Sequence, residues 1–345
     1  MDAPPIQYVT TSDGVSIAYT STGSGLPLVF MPWPFNNVGQ IWETAFARPL
    51  LQALASRFKL IQYDHPGQGM SSRGLSEYHS MEDYLLDLEA IVDHLALQRF
   101  VLYGAPMFGH VAVRYAAQHP GRVRALALGD VFKDRAWGGY EDIAKHDWEA
   151  FLHTMVSTWS LPGAPRELDY WRGSMDQADG LHMMNLGMRS SISSILPNLK
   201  VPVLLWNPRR PSRDSQVDSL WVADAQAMAA AIPDARLVLY DGGFASVLYS
   251  PGPEPPPAVR FIEDFLSDLS QRAGGESRLP SATSLSPREV DVLRLVVQGK
   301  TNREIAEALV ISQRTVINHI SNIFTKTGAE NRAAATAYAF RHGLA

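Results

Sequence analysis

The chain has 345 residues, more than one ordinary domain needs, and an apolar fraction of 46% that belongs to the globular range. It has no cysteine, which excludes a disulfide framework and a thiolate metal site. No apolar run is long enough to span a membrane, and Met1-Asp2-Ala3-Pro4-Pro5 lacks the basic and apolar runs of a secretion signal, so a cytoplasmic protein is expected. The net charge of −5 is uneven. Glu276 to Ala345 holds 9 Lys+Arg against 6 Asp+Glu and the preceding residues 21 against 29, so only the tail suits a polyanion.

Taken in chain order, short apolar runs predict strands at Val15–Tyr19, Leu28–Met31, Phe58–Tyr63, Phe100–Tyr103, Ala125–Gly129, Val201–Trp206 and Arg236–Tyr240. Helical spacing appears at Met81–Ala96, Gly109–His119, Val222–Ala231 and Ala258–Leu269. Strands alternating with helices predict an α/β fold with a mostly parallel sheet. Between about 131 and 200 the strand signal stops. That stretch is helical and rich in aromatic residues and methionine, and reads as an inserted helical lid.

Two turns carry specific composition. One is Tyr63-Asp64-His65-Pro66-Gly67-Gln68-Gly69-Met70-Ser71; the other runs from Gly104 to Gly109 and leads into Val111-Ala112-Val113-Arg114-Tyr115. With Ser12-Asp13-Gly14-Val15-Ser16-Ile17-Ala18-Tyr19, these residues make the first part of the chain resemble the α/β-hydrolase fold over nearly its whole length. The resemblance implies a nucleophile in a G-x-S-x-G turn. Here that turn reads Gly104-Ala105-Pro106-Met107-Phe108-Gly109, with Pro106 at the serine position. Proline has no hydroxyl to form an acyl-enzyme. The oxyanion donors are expected after the second apolar strand, where Met31-Pro32-Trp33-Pro34-Phe35 lacks two backbone N–H groups. The base is expected after the last strand, where Phe244 stands in place of histidine. Asp214 or Asp130 could hold the position of the acid. No catalytic residue is therefore expected, and the resemblance implies a pseudo-hydrolase whose crevice binds a small apolar or aromatic effector. Trp33, Pro106, Met107 and Phe244 are placed by the fold around the crevice floor. The lid aromatics Trp137, Trp148, Phe151 and Trp159, with Tyr170 and Trp171 beside them, are the remaining candidates. Arg209, Arg210 and Arg213 hint at a carboxylate on the ligand. His94, His110 and His119 lie on helix patterns and read as structural or exposed. No cofactor is expected: there is no Walker loop, no dinucleotide fingerprint and no metal-ligand spacing.

A Gly/Ser/Pro-containing stretch then marks a boundary. The expected division is a first domain over 1–272, a linker over 273–283 and a second domain over 284–345. In the second, Ser286, Pro287 and Glu289 form a capping signature before an apolar run from Val290 to Val297, and Gly299 ends it. Thr301 and Glu304 open another helix, in which Ile305, Ala306 and Leu309 share one side. Ser312 opens a third, with Val316, Ile320, Ile323 and Phe324 on its inward stripe. Arg314, Asn318, Ser321, Asn322 and Thr325 are left on the open face. A final helix, about Arg332 to His342, is rich in alanine and could serve as a dimer seam.

From Leu285-Ser286-Pro287-Arg288-Glu289 through Asn318-His319-Ile320-Ser321-Asn322-Ile323, the tail resembles the LuxR/NarL-type helix-turn-helix module along its full length. The resemblance implies a cytoplasmic transcription regulator that binds double-stranded DNA as a homodimer. Asn318, Ser321, Asn322 and Thr325 would read bases; Arg314, Lys326 and the first turn from Thr301 and Asn302 would hold phosphates, and Thr315 is a further DNA-binding candidate. Ile317 stands where such modules often carry a basic residue, and suits a thymine methyl instead. The combined expectation is a ligand-responsive regulator with a catalytically silent sensor. The alternatives are a bifunctional hydrolase with a DNA-binding tail, and a constitutive DNA-binding dimer.

Overall fold

The computed structural model describes residues 2–74, 78, 80–135, 140–159, 167–209, 215–242, 245–248, 250, 254–274, 285, 287–309, 311–327, 329, 331–341 and 344. The chain divides into two compact units, Met1–Ser267 and Asp268–Ala345.

The first unit is built on one eight-stranded sheet in the order β1-β2-β4-β3-β5-β6-β7-β8. The strands are β1 Gln7–Thr10, β2 Ser16–Thr22, β3 Pro27–Phe30, β4 Lys59–Tyr63, β5 Phe100–Gly104, β6 Val123–Gly129, β7 Val203–Pro208 and β8 Ala235–Tyr240. β1 and β2 pair antiparallel, and β2 runs antiparallel to β4. Every other pairing is parallel. β5 and β6 are buried almost throughout, which is why they read as unbroken apolar runs. All seven predicted strands are present, with ends shifted by one or a few residues. β1 has no such run. It is a mostly exposed edge strand, and pairing with β2 creates it.

Helices α1 Arg48–Ala55, α2 Leu85–His94 and α3 Gly109–Gln118 connect the first strands. α1, which the periodicity does not announce, starts with a proline in its first turn and buries Leu50, Leu51 and Leu54. Between β6 and β7 lie α4 Glu141–His146, α5 Trp148–Trp159, α6 Glu167–Ser174 and α7 Gln177–Arg189, the predicted helical lid. α8 Ser215–Ala231, α9 Ala245–Leu248 and α10 Pro257–Gly274 complete the unit. In α10, Val259, Ile262, Phe265 and Leu266 are buried, as their spacing predicts. The helix runs to Gly274, so the division between the units falls within it, a few residues before the expected boundary at 272.

His110 ties down both ends of the lid. It is buried on α3, with Nδ1 2.7 Å from the Ser190 hydroxyl and Nε2 2.7 Å from the Phe132 carbonyl. Burial, the largest cause, lowers its pKa to about 4. The neutral imidazole therefore donates from Nε2 and accepts at Nδ1.

Beyond the end of α10, the described elements of the second unit are helices: α11 Pro287–Val297, α12 Asn302–Leu309, α13 Gln313–Thr327 and α14 Arg332–Arg341. Its core joins Val292, Leu293 and Val296 of α11 to Ile305 and Ala306, to Val316, Ile320 and Ile323, and to Ala335 and Ala339. The alanine-rich helix, expected as a dimer seam, also packs within its own unit. Ala335 and Ala339 are fully buried within this unit's own core, because their small side chains let α14 approach α11.

Candidate ligand crevice and nucleic-acid interface

Strand order places the first site. The sequence of connections reverses between β3 and β5, and parallel α/β sheets bind ligands outside the carboxyl ends of the strands at such a switch point. The two strands stay hydrogen-bonded to the last residue, where the Met31 N–H donates to the Tyr103 carbonyl at 2.8 Å. Two loops lie at these strand ends: Pro32 to Phe35 after β3, and the Gly104–Gly109 turn after β5.

Backbone strain concentrates at this edge. Phe35 (φ 63°), Met107 (φ 73°) and Asp130 (φ 56°) lie closely behind β3, β5 and β6, and all are in the left-handed region. For residues other than glycine this conformation is costly, and it clusters where a fold positions functional groups. Pro106 cannot share it, since its ring locks φ near −65°. The left-handed residue of the elbow is thus Met107, one position beyond the one that motif spacing predicts for the nucleophile. The turn is drawn tight by two glycines. A Cβ on Gly104 would lie 2.7 Å from the Gly109 Cα, and one on Gly109 would collide with the Val131 side chain.

An aromatic wall joins the β3 loop to the lid. Trp33 stacks on Phe46 at 5.6 Å and meets Phe30 edge-on at 5.3 Å. Phe35 touches Trp171, Trp148 and Phe151, and Trp148 stacks on Phe151 at 4.9 Å. The Nε1 donors of Trp33 and Trp171 are buried without a hydrogen-bond partner. A buried orphan N–H costs on the order of 1–3 kcal/mol, so each is a standing demand for an acceptor.

Polar groups lie along the same strand ends. Tyr240, ending β8, donates its hydroxyl to both oxygens of Asp130, at 3.1 and 3.3 Å. Burial holds the Asp130 carboxyl well above the usual carboxylate range, against the lowering effect of the Tyr240 bond. Asn207, near the end of β7, has a buried amide nitrogen without a partner. Beside the elbow, His65 packs its ring on Phe108 at 4.2 Å. Its Nδ1 meets Asp87 Oδ2 at 2.6 Å, and Tyr78 donates to the other oxygen at 2.9 Å. His65 Nε2 is buried without a partner. Asp64 has a different task. It accepts from the amides of Val38 and Met70 and from the Asn36 side chain, which fixes the turn after β4. Burial raises its pKa to about 6, partly opposed by these hydrogen bonds.

The second site is the outer side of α12 and α13. Thr301 and Glu304 form a complete capping box: the Thr301 amide donates to the Glu304 carboxylate at 2.7 Å, and the Glu304 amide to the Thr301 hydroxyl at 3.3 Å. Ser312 caps α13 by accepting from the Thr315 amide at 3.1 Å, and the two hydroxyls lie 2.8 Å apart. Asn302 accepts from Arg332 at 2.8 Å. Asn322 and Ile317 are exposed on α13.

Comparison with known proteins matches both units. Residues 283–339 match the model described as bacterial regulatory proteins, luxR family, and residues 35–155 that of the alpha/beta hydrolase fold. The chain joins an α/β-hydrolase domain to a luxR-family helix-turn-helix domain. It is 35% identical over 127 residues to a non-heme haloperoxidase of Rhodococcus erythropolis, which covers 36% of this chain and 44% of that protein. It is 45% identical over 73 residues to the transcriptional regulatory protein LiaR of Bacillus subtilis, covering 21% and 34%. The chain spans less than half the length of either curated relative. A hydrolase structure from Pseudomonas aeruginosa superimposes with TM-score 0.61 at 19% identity, over 77% of this chain and 99% of that one, which establishes the fold.

Within the hydrolase domain, the predicted residues Trp33, Pro106, Met107, Trp148 and Phe151 stand on the strand-end loops and lid helices, and Phe35 ties Trp148 and Phe151 to Trp171. Trp137, Phe244 and Asp214 lie outside the described residues, as do Arg210 and Arg213; Trp159 lies on α5, and its side chain is not described. Arg209 faces Asp241 at 3.7 Å and donates to the Leu239 carbonyl, so its charge already has company. Phe35, Phe46 and the His65–Asp87 pair are the residues that sequence reading missed as site members. The aspartate-histidine pairing has no sequence signal, because the two residues are 22 positions apart.

Within the luxR-family domain, Arg314, Asn318, Ser321 and Lys326 lie on α13, and their side chains are not described. Thr301, Asn302 and Thr315 carry bonds inside the domain: two hydroxyls are engaged in caps, and the Asn302 carbonyl is held by Arg332. The N-terminus of α12, expected to hold a phosphate, already holds the Glu304 carboxylate.

Proposed function

We propose that this chain is a DNA-binding transcription regulator whose hydrolase-fold domain is a receptor for a small ligand and performs no hydrolysis. One observation carries the second half. The elbow offers Pro106 and Met107, so no oxygen or thiol stands where this fold presents its nucleophile. The loop that usually supplies an oxyanion donor contains Pro32 and Pro34, which have no N–H to give. What the crevice does offer suits binding: an aromatic wall, two buried indole donors without partners, and strained residues at three strand ends. The preferred ligand is largely apolar or aromatic and carries hydrogen-bond acceptors for Trp33 and Trp171.

The first half is supported by the luxR-family match and by the helix caps that hold α12 and α13 ready. A homodimer would read two half-sites about one helical turn apart. Ligand would change DNA affinity only if it binds two arrangements of the protein unequally.

The test uses the full chain. Incubation with p-nitrophenyl butyrate and with a serine-directed fluorophosphonate should give neither turnover nor a labelled elbow peptide. DNA affinity should fall steeply with salt. Saturable ester turnover, or a fluorophosphonate adduct on any serine of the hydrolase domain, would end the receptor reading.

A second reading is a bifunctional hydrolase, and the buried His65–Asp87 pair beside Phe108 favours it. Burial lowers the His65 pKa, leaving a neutral ring with Nε2 free to accept a proton. Ester turnover that disappears in His65→Asn would support that reading against ours.

A further inference from the structure

Ile317 is the one large apolar side chain of the described C-terminal unit that stands open to solvent, 53% exposed. Its neighbours on α13 show that this is not a general feature of the helix. Val316, Ile320 and Ile323 are buried in the core, while Ile317 belongs neither to that core nor to the residues packed against it. It contributes nothing to folding that a polar residue would not. Gln313, one turn earlier, is also exposed. Single exposed apolar residues are common on protein surfaces; the position of this one gives it meaning.

We infer that Ile317 is a specificity residue that selects thymine through its 5-methyl group, an inference that rests on the DNA-binding reading above. Seen from the major groove, guanine, cytosine and adenine offer donors and acceptors, whereas thymine also offers a methyl. The isoleucine side chain has no polar atom, so it forms no hydrogen bond with any base edge. Set against an amino group or a carbonyl, it strips water and returns nothing. Set against the thymine methyl, it buries apolar surface on both sides. The Thr315 hydroxyl, two residues away, is engaged by Ser312 within the cap. The consequence is an operator with one obligatory A·T pair per half-site, its thymine facing Ile317, and no positive charge delivered there.

The experiment takes the full-length protein and its Ile317→Ala variant through selection from a random duplex DNA pool. Each thymine of the selected duplex is then replaced singly by deoxyuridine, which removes the methyl and leaves every hydrogen-bonding group in place. Affinity is read by fluorescence anisotropy at fixed salt. At one thymine per half-site the replacement should weaken wild-type binding about fourfold, the equivalent of one buried methyl group. The same replacement should leave Ile317→Ala unchanged, and that variant should no longer enrich thymine there. The exposed position predicts an unchanged melting temperature for Ile317→Ala, which separates recognition from folding. A duplex bound equally well with every thymine replaced would overturn the inference while leaving DNA binding intact. So would a deoxyuridine penalty that persists in Ile317→Ala. Failure of the wild-type protein to enrich any sequence or bind any duplex would overturn the DNA-binding reading itself.

Discussion

Two kinds of turn in this molecule lead into helices, and they are built on opposite plans. The Gly104–Gly109 turn starts α3 with no side-chain cap, a left-handed methionine and two glycines pressed against their surroundings. The turns that start α12 and α13 are held by side-chain caps from Thr301, Glu304 and Ser312. In the first, shape comes from close backbone approach and burial, and polar side chains have no part in it. In the second, shape comes from polar side chains satisfying backbone donors. The difference teaches that the elbow's shape does not depend on a reactive oxygen, because the contacts that draw it tight are backbone and apolar ones.

Breaking each plan should have effects of different size and kind. The largest is expected from Gly109→Val, which drives a branched side chain into Val131; a loss of about 3 kcal/mol or more should appear in urea denaturation of the hydrolase domain. Ile305→Ala should cost the helix-turn-helix domain about 3 kcal/mol by opening its core, read as a lowered melting temperature and weaker DNA binding.

His110→Ala should cost about 2 kcal/mol, since two buried hydrogen bonds at the lid ends disappear. It should also change the pH profile. The folded state holds His110 at about 4 against 6.5 for an ordinary histidine. Between those values the unfolded chain binds the proton and the folded chain does not, so stability falls as pH drops through this window. Asp64, raised to about 6, acts in the opposite direction up to that pH. The variant retains the Asp64 effect and loses the His110 one, so the difference between wild-type and variant profiles isolates His110. Equal slopes would refute the neutral clasp.

Glu304→Ala should lower the melting temperature of the helix-turn-helix domain slightly through the lost capping box, and a circular dichroism melt would detect it. The smallest effect is the sharpest test of the comparison. Pro106→Ser restores a hydroxyl but leaves Phe244 at the position of the base, and should give no measurable ester hydrolysis. Turnover in that variant would show that the elbow needed only its oxygen.

Much of the candidate site was legible because residue type alone decides chemistry. Pro106 at the elbow, the prolines of the β3 loop and Phe244 all argue against hydrolysis before any coordinate is known. The capping boxes and apolar stripes of α11 to α13 were equally plain, being local patterns with local causes. The remainder depended on distance in space. β1 exists because β2 offers it an edge, and its own residues are mostly exposed. His65 and Asp87 share a buried hydrogen bond that no spacing rule links. His110 lay on an evident helix, yet its role as the clasp of the lid needed Phe132 and Ser190 brought to either side of the ring.

The amino-acid sequence by itself determined which groups this protein carries: Pro106 and Met107 in the Gly104–Gly109 turn, an uneven charge, and two domains of unlike periodicity. Only the tertiary structure decided which groups face water, which are stranded without partners and which residue bears the elbow's strain. The reason is that identity is a property of one residue, whereas burial, pairing and strain are properties of neighbours that the chain must fold to acquire.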